Sequence, residues 1–578
     1  MAFSKLSPQC PFKPKNLTLL RVTADSVPQL CNADKRATTA GTEKWYISIL
    51  RVFMHIHFVF FSTRDATELV RSVDHATDQI DRTTASIRTV KSVLGPRFYK
   101  KASLIWRSAS TNSNILKSTS PIFRFTSRIS PTAAKLQNPL PEDPWANADE
   151  PPMNMVEKLI DCFLAYSSEV GFFLNASRFR QSALMRYPIG HHARPAPAVL
   201  VAVYLWGLRL SKQPDLIAQE PVFLSRTLKL TAKGLSGLHP HKIMHNFQAE
   251  ILLAYYFFAS GRFLEGKWHT AAAISLGLSS SVHMVRSAHP PSPGPLPPPR
   301  DVVEEGERIH ACWSGLVLDK TWAVVLNEDP HVDHQHESCV VDTPWPLELE
   351  DYQNGRFSPT ARYSNTFHKF INSVPTSDTG MSTVAMLSKA TILWQRADRL
   401  VRQWKPDMLR NQASSFQSSF SALDNLVDNF RAALITPKQI AHPTPAMVRA
   451  LVVSHSLAHA ATLQLYTFAP LRMDPNGRRK RLSAARAVLG IIVSIPLQHF
   501  GYINPIMGTV WLAACQVLMD EIYALKTQNT MSWQPSEEAE PKALLTRAIS
   551  VLLTFAETCP LLKGYQISRI QEAFAGMH

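Results

Sequence analysis

From Pro151 onward, apolar residues recur at steps of three and four, the spacing of one face of an α-helix. In MVEKLIDCFLAYSSEVGFFL, Met155 to Leu174, the positions Val156, Leu159, Cys162, Phe163 and Tyr166 share a face opposite Glu157, Lys158 and Asp161, which predicts an amphipathic opening helix. Pro195 and Pro197 precede VLVAVYLWGLRL, a helix start at which proline forfeits no hydrogen bond. Glu220 to Lys233 predicts another helix. In HKIMHNFQAEILLAYYFFASGRF the run Ile251 to Phe258 is apolar on every side, so this helix must be enclosed by others, and Gly261 ends it. LEGKWHTAAAISLGLSSS follows with Ala271, Ala272, Ala273, Ser275 and Gly277. Such small residues let a second helix lie close against the first as an αα-hairpin.

HPPSPGPLPPPRD, His289 to Asp301, holds seven prolines and forbids helix. It reads as a surface loop joining two helices, although its PxxP content also fits an SH3-type groove. ERIHACWSGLVLDKTW then sets Ala311, Gly315, Leu318, Trp322 and Val325 on one stripe and Ile309, Cys312, Trp313 and Leu316 on an adjoining one, leaving little polar face. Asp319 and Lys320 near its end have two readings. Both point to solvent on a narrow strip, or Lys320 favours the negative helix end while Asp319 takes a donor from a neighbouring element. Further helices are predicted at Thr383–Gln403, Ser418–Ile435, Pro445–Tyr466, Ser483–Ser494, Pro505–Leu525, Lys542–Phe555 and Ser568–Phe574, with Pro406, Pro437, Pro445, Pro470, Pro496, Pro541 and Pro560 near their boundaries. Strands are hardly visible. The expectation is an all-α protein, a large irregular array of antiparallel helix pairs over residues 148–578, with a motif-bearing core at about 150–360, a continuation at 376–578 and the Pro-rich loop at 289–300.

Composition changes the picture mainly at the front. The chain has 578 residues and a net charge of +16. Residues 1–140 hold 21 Lys and Arg against 8 Asp and Glu, a surplus of 13, so the remainder carries only +3. Residues 1–147 read as a basic, largely disordered region in which Thr83 to Lys135 is either a solvated tail with no partner or one that attracts nucleic acid. WYISILRVFMHIHFVFF, Trp45 to Phe61, is short for a membrane span and contains Arg51, His55 and His57, so no membrane is expected. Nothing before about Asn147 reads as a coherent domain, which also fits translated non-coding sequence from a misread exon.

Candidate chemistry is sparse. The seven cysteines are so widely spread that the closest two, Cys10 and Cys31, lie 21 residues apart, which excludes a C-x2-C metal knuckle and fits reduced core thiols. HVDHQHE, His331 to Glu337, is either an adventitious zinc or nickel site or a solvated loop. His455 and His459 have the i, i+4 spacing of zinc ligands, but Ser456 stands where a zinc protease carries its glutamate, so core or interface histidines are expected. No phosphate loop or G-x-S-x-G elbow occurs, and the chain does not read as an enzyme. GRRKRLSAAR, with Arg478, Arg479, Lys480 and Arg481, is either a nuclear import signal or phosphate-contacting patch, or the wet face ahead of an amphipathic helix.

EGERIHACWSGLVLDKTWAVVLNEDPHV followed by VDTPWPLELEDY resembles the middle homology region of fungal zinc-cluster (Zn2Cys6) transcription factors, the fungal-specific, xylanolytic-activator-type regulatory domain. The positions that carry the resemblance are Glu307, Arg308, Trp313, Leu318, Asp319, Lys320, Asp342, Pro344 and Pro346, with Gln248, Ala249, Gly261, Arg262, Ala273, Leu276, Gly277 and Leu278 upstream. The family's Gly-Arg-Pro after the Leu-Asp helix is replaced by Asn327, Glu328, Asp329 and Pro330, and no six-cysteine cluster is present. The resemblance implies the regulatory part of a transcription regulator of RNA polymerase II genes in the nucleus. It also implies DNA as a partner through a zinc-bearing module that this chain lacks, together with transcription machinery or co-regulators and a possible homodimer. No cofactor is expected in the chain itself. The alternative is a helical scaffold or small-ligand-binding protein derived from such a factor that no longer touches DNA.

Overall fold

The computed structural model describes residues 150–574 apart from 290–295, 334–339, 359, 377, 469–473, 495–499, 529–535, 557–558, 564–566, 568–569 and 573. The basic front, with Trp45 to Phe61 and Thr83 to Lys135, lies outside the described residues. Among the described residues there is no strand. One isolated parallel bridge joins Ser287 to Tyr363, and the rest is helix and connection.

The helices are α1 (Met153–Leu164), α2 (Ala176–Ala183), α3 (Pro197–Leu210), α4 (Pro214–Ile217), α5 (Glu220–Lys233), α6 (Lys242–Ala259), α7 (Phe263–Ser279), α8 (Val302–Leu326), α9 (Leu349–Gln353), α10 (Thr366–Ile371), α11 (Thr383–Gln403), α12 (Arg410–Ala433), α13 (Pro445–Leu465), α14 (Pro475–Ser494), α15 (Ile506–Gln528), α16 (Ser536–Ala556) and α17 (Pro560–Lys563). The expected all-α class is what the chain adopts. α11 packs most extensively on α13, α6 on α7, and α3 on α1 and α5, while α8 bridges to α11 and α12, α14 and α15 lean on α13. α13 is long and apolar enough to cross a membrane, and here it is wrapped by these neighbours. One contiguous apolar cluster runs from Val156 to Ile570.

The α6–α7 hairpin forms as its small residues require. The Gly261 N–H donates to the Phe258 carbonyl and the Arg262 N–H to that of Phe257, with Gly261 at φ +72°; this is the left-handed helix stop that glycine makes without strain. Ile251 to Phe258 are all buried.

Several boundaries differ from the periodicity, each for a local reason. The helix predicted over Met155 to Leu174 ends at Leu164: Tyr166 leaves the helical region at φ −130°, a 3-10 turn follows at Ser167–Val170, and Gly171 at φ +69° closes that turn. α14 starts at Pro475 and not at Ser483, since Asp474 Oδ2 accepts the Gly477 N–H at 2.8 Å and caps it. The basic run therefore lies on the helix. α12 begins at Arg410, two turns ahead of Ser418. α16 runs past Pro541 to Ser536, where the missing proline N–H removes only one early bond. Only part of Ser568–Phe574 falls among the described residues.

α1 and α3 approach most closely at Gly207, where any Cβ would collide with the Leu159 carbonyl, whereas Gly490 on α14 has open space around it. Gly207→Ala is expected to lower the unfolding free energy by about 2 kcal/mol through overpacking, and Gly490→Ala to raise it by about 0.5–1 kcal/mol through helix propensity. Urea unfolding midpoints of the two variants check both signs.

Candidate functional site

The acidic residue inside the apolar α8 helix is answered by the loop that follows it. α8 stops at Asn327, which takes the left-handed φ of 56°, and the chain then folds back along the helix. Asp319 accepts the backbone N–H groups of His331 at 3.0 Å and Val332 at 3.1 Å and meets the His331 Nδ1 at 2.7 Å. Asp319 and Lys320 are each only 1% exposed, so the solvent-strip reading fails. The Lys320 ammonium lies over the Phe367 ring at 5.2 Å; burial pulls it down to about 8, against the attraction of Asp319 and Asp333. Hydrogen bonding to Asp319 holds the His331 imidazole above its ordinary range.

The other resemblance-bearing residues do similar work on other turns. Gln248 accepts the Phe173 N–H at 2.7 Å and donates to the Gly171 carbonyl at 3.2 Å. Glu307 accepts the Asn175 N–H at 2.8 Å, and burial pushes its carboxyl up to about 7. Arg308 donates to Glu304 at 2.7 Å. Trp313 donates from Nε1 to the Pro344 carbonyl at 2.7 Å and stacks on Trp345 with centroids 4.2 Å apart. Asp342 accepts the Asn365 N–H at 2.7 Å and the Ser287 hydroxyl, while the Pro346 carbonyl accepts from Ser382, the N-cap of α11. Arg262 lies over Phe257 and pairs with Glu265, and Gly277 leaves room for the Phe247 ring. These residues do not gather around one reacting centre. Glu307 and Arg308, however, share the wall of a cleft of about 200 Å³ with residues of α2, α6 and the 192–195 segment.

The basic cluster is largely paired within the fold. Arg478 pairs with Glu521 at 2.8 Å, Lys480 with Asp424 at 2.6 Å and Asp428 at 2.9 Å, and Arg481 is buried near Asp520; Arg479 is exposed. Of the histidine candidates, His455 bonds the Ile435 carbonyl and burial drives His459 down to about 3. His331 and Asp333 are held by Asp319 and Arg399, while His334, His336 and Glu337 lie outside the described residues. Among the described residues no group of three or more His, Cys, Asp or Glu side chains is arranged to hold a metal. Cys312 and Cys515 are buried, their thiols pushed up to about 12, Cys559 is also buried and Cys162 half-buried. Cys10, Cys31 and Cys339 lie outside the described residues.

Sequence reasoning passed over a second set of buried charges. Glu169 pairs with Arg449 at 3.0 Å and accepts the Asn504 N–H at 3.0 Å, tying the 3-10 turn to α13 and to the approach to α15. Glu250 meets His269 at 2.6 Å across the α6–α7 hairpin. Arg194 is clamped by Glu150 and by the Ala183 and Tyr187 carbonyls. The signal was present: Glu250 and Arg449 interrupt apolar runs just as Asp319 does.

Asp319→Ala strands two backbone N–H groups and removes the larger of the two carboxylate attractions on Lys320, so a loss of about 3 kcal/mol or more is expected in chemical denaturation. Asp319→Asn, which can still accept, should lose less. Because the folded His331 titrates above its unfolded value, its stabilisation is complete below that value and is lost as pH rises through the folded one. The stability gap between wild type and His331→Gln should therefore shrink as pH is raised above about 6.5, as urea titrations at increasing pH would read. Compared with known proteins, the chain matches no family model, no curated protein and no solved structure.

Proposed function

We propose that residues 150–578 form the regulatory body of a nuclear transcription regulator of the fungal zinc-cluster kind, working by shape and contact without catalysis. The observation that carries the reading is the ordered set from Gln248 to Pro346, whose members recur in the family's order and are here committed to holding one helical framework. The replacement of the family's glycine by Asn327 is conservative, since asparagine is the residue that best shares glycine's left-handed conformation. On this reading DNA is contacted through a zinc-bearing module outside this sequence, and the framework passes signals to co-regulators or transcription machinery. The pairing of Arg478, Lys480 and Arg481 within the fold favours the structural role of that cluster over phosphate contact.

The cleft beside Glu307 and Arg308 supports a second reading, a ligand-binding helical protein descended from such a factor. Two measurements on the full chain separate them. Fused to a heterologous DNA-binding module, the chain is expected to change reporter transcription several-fold, while the purified chain alone binds duplex DNA weakly and with little salt dependence in its affinity. An inert fusion would remove the regulatory reading and leave the second.

A further inference from the structure

The Pro-rich connection between α7 and α8 ends in Leu296-Pro297-Pro298-Pro299-Arg300, all of them among the described residues. We infer that this stretch is a docking strap for an SH3-type domain of a partner protein, one whose aromatic groove takes an extended proline ligand and whose acidic pocket takes the arginine that follows it. The inference goes beyond the regulatory reading and does not depend on it.

Local chemistry sets the shape of the strap before any partner arrives. Proline fixes its own φ and pushes the residue before it out of the helical region, and Leu296, Pro297 and Pro298 are each followed by proline. The chain is therefore held as extended polyproline, and Pro297 to Pro299 belong to neither helix nor strand. Three residues per turn give such a chain three edges. Leu296 and Pro299 share one, Pro297 and Arg300 the second, and Pro298 lies on the third. Leu296 is partly buried against the apolar core, so its edge is the one turned to the body, while Pro297, Pro298, Pro299 and Arg300 are exposed. An SH3 groove reads an apolar-proline step, leaves the next residue unread and takes the arginine after it. Here the step is Pro297-Pro298, the unread residue is Pro299 and the arginine is Arg300, so the edge anchored to the body is the one the groove ignores.

Arg300 can change partners at little cost. Its side chain is 67% exposed and its Nε donates to Glu304 Oε2 at 2.8 Å, an exposed pair of the kind that contributes little. Glu304 keeps Arg308 on its other oxygen at 2.7 Å, so release of the Arg300 guanidinium does not strand the carboxylate. The Arg300 backbone N–H also donates to Glu304 Oε2 at 3.1 Å; this holds the end of the strap on the first turn of α8 while the side chain swings out. The next residue, Asp301, accepts the Glu304 N–H at 2.9 Å and pairs with Arg178 at 2.8 Å, which compensates its charge beside an acidic pocket. A ligand that is already extended and tethered at Leu296 and Arg300 loses little conformational freedom on docking, and that is how so short a strap gains affinity.

The test is calorimetric titration of the purified full chain with a set of isolated SH3 domains that read proline ligands ending in arginine, and with an isolated WW domain, whose aromatic groove also takes proline. At least one SH3 domain is expected to bind, more tightly than the WW domain and more weakly as salt is raised. Arg300→Ala and Pro298→Ala should each weaken that binding about tenfold or more, whereas Pro299→Ala, on the unread edge, should weaken it less than about threefold. The three side chains are exposed, so each variant should keep the wild-type urea midpoint. No binding by any of the SH3 domains, tighter binding by the WW domain, or a loss in Pro299→Ala equal to that in Pro298→Ala overturns the inference. So does binding to a free peptide of residues 289–302 that the full chain does not reproduce, since the strap is then not presented. Because the readout is binding and not transcription, its failure leaves the reporter result untouched, and an inert reporter leaves the strap standing.

Discussion

An α-helix satisfies its own backbone, but the segments that turn one helix into the next do not, and in a body this thick many of those segments are buried. Every such N–H needs an acceptor where no water reaches. Here the acceptors are side chains sent out from neighbouring helices. Gln248 receives Phe173, Glu307 receives Asn175, Asp319 receives His331 and Val332, and Glu169 receives Asn504. Remove this constraint and the helices could slide past one another on apolar surface; with it, each connection has one place to lie.

The same constraint accounts for the charges embedded in greasy helices. A carboxylate inside an apolar face is tolerated when it receives several hydrogen bonds and a cation stands near. Asp319 has both, and so has Glu169, which Arg449 reaches from a residue 280 positions away. Pairs of this kind fix which helices meet as firmly as they add stability. Buried carboxylates hydrogen-bonded to other polar side chains do the same, Glu250 with His269 across the α6–α7 hairpin and Asp398, accepting from Gln464, between α11 and α13.

How much of this could be read beforehand depended on the range of the interaction. Glu220–Lys233 and Thr383–Gln403 coincide with their predicted bounds, because apolar period and local breakers agree there. The opening helix is shorter than its apolar period because the period continues past Leu164, and the backbone angles at Tyr166 and Gly171 that interrupt it leave no mark on periodicity. The start of α14 was missed because GRRKR has no apolar period, although Asp474 and Pro475 form a recognisable start signal. In the candidate site, the need of Asp319 for a donor was legible from its surroundings. Its donors were not, since they come from an irregular loop that periodicity does not describe. The cleft was invisible in the sequence, because Arg178, His241 and Arg308 become neighbours only through packing.

A framework whose turns are fastened to its helices can respond as a unit when something occupies one wall, and the cleft lies against the same stretch, 171–175, that Gln248 and Glu307 secure. The most direct test of the central claim is amide hydrogen exchange on the full chain. The backbone N–H groups of Phe173, Asn175, Val332, Asn365 and Asn504 are expected to exchange as slowly as those in the middle of α6 and α13, although all five lie outside helices. Exchange at these positions at the rate of exposed loops, with the helices protected, would contradict the account.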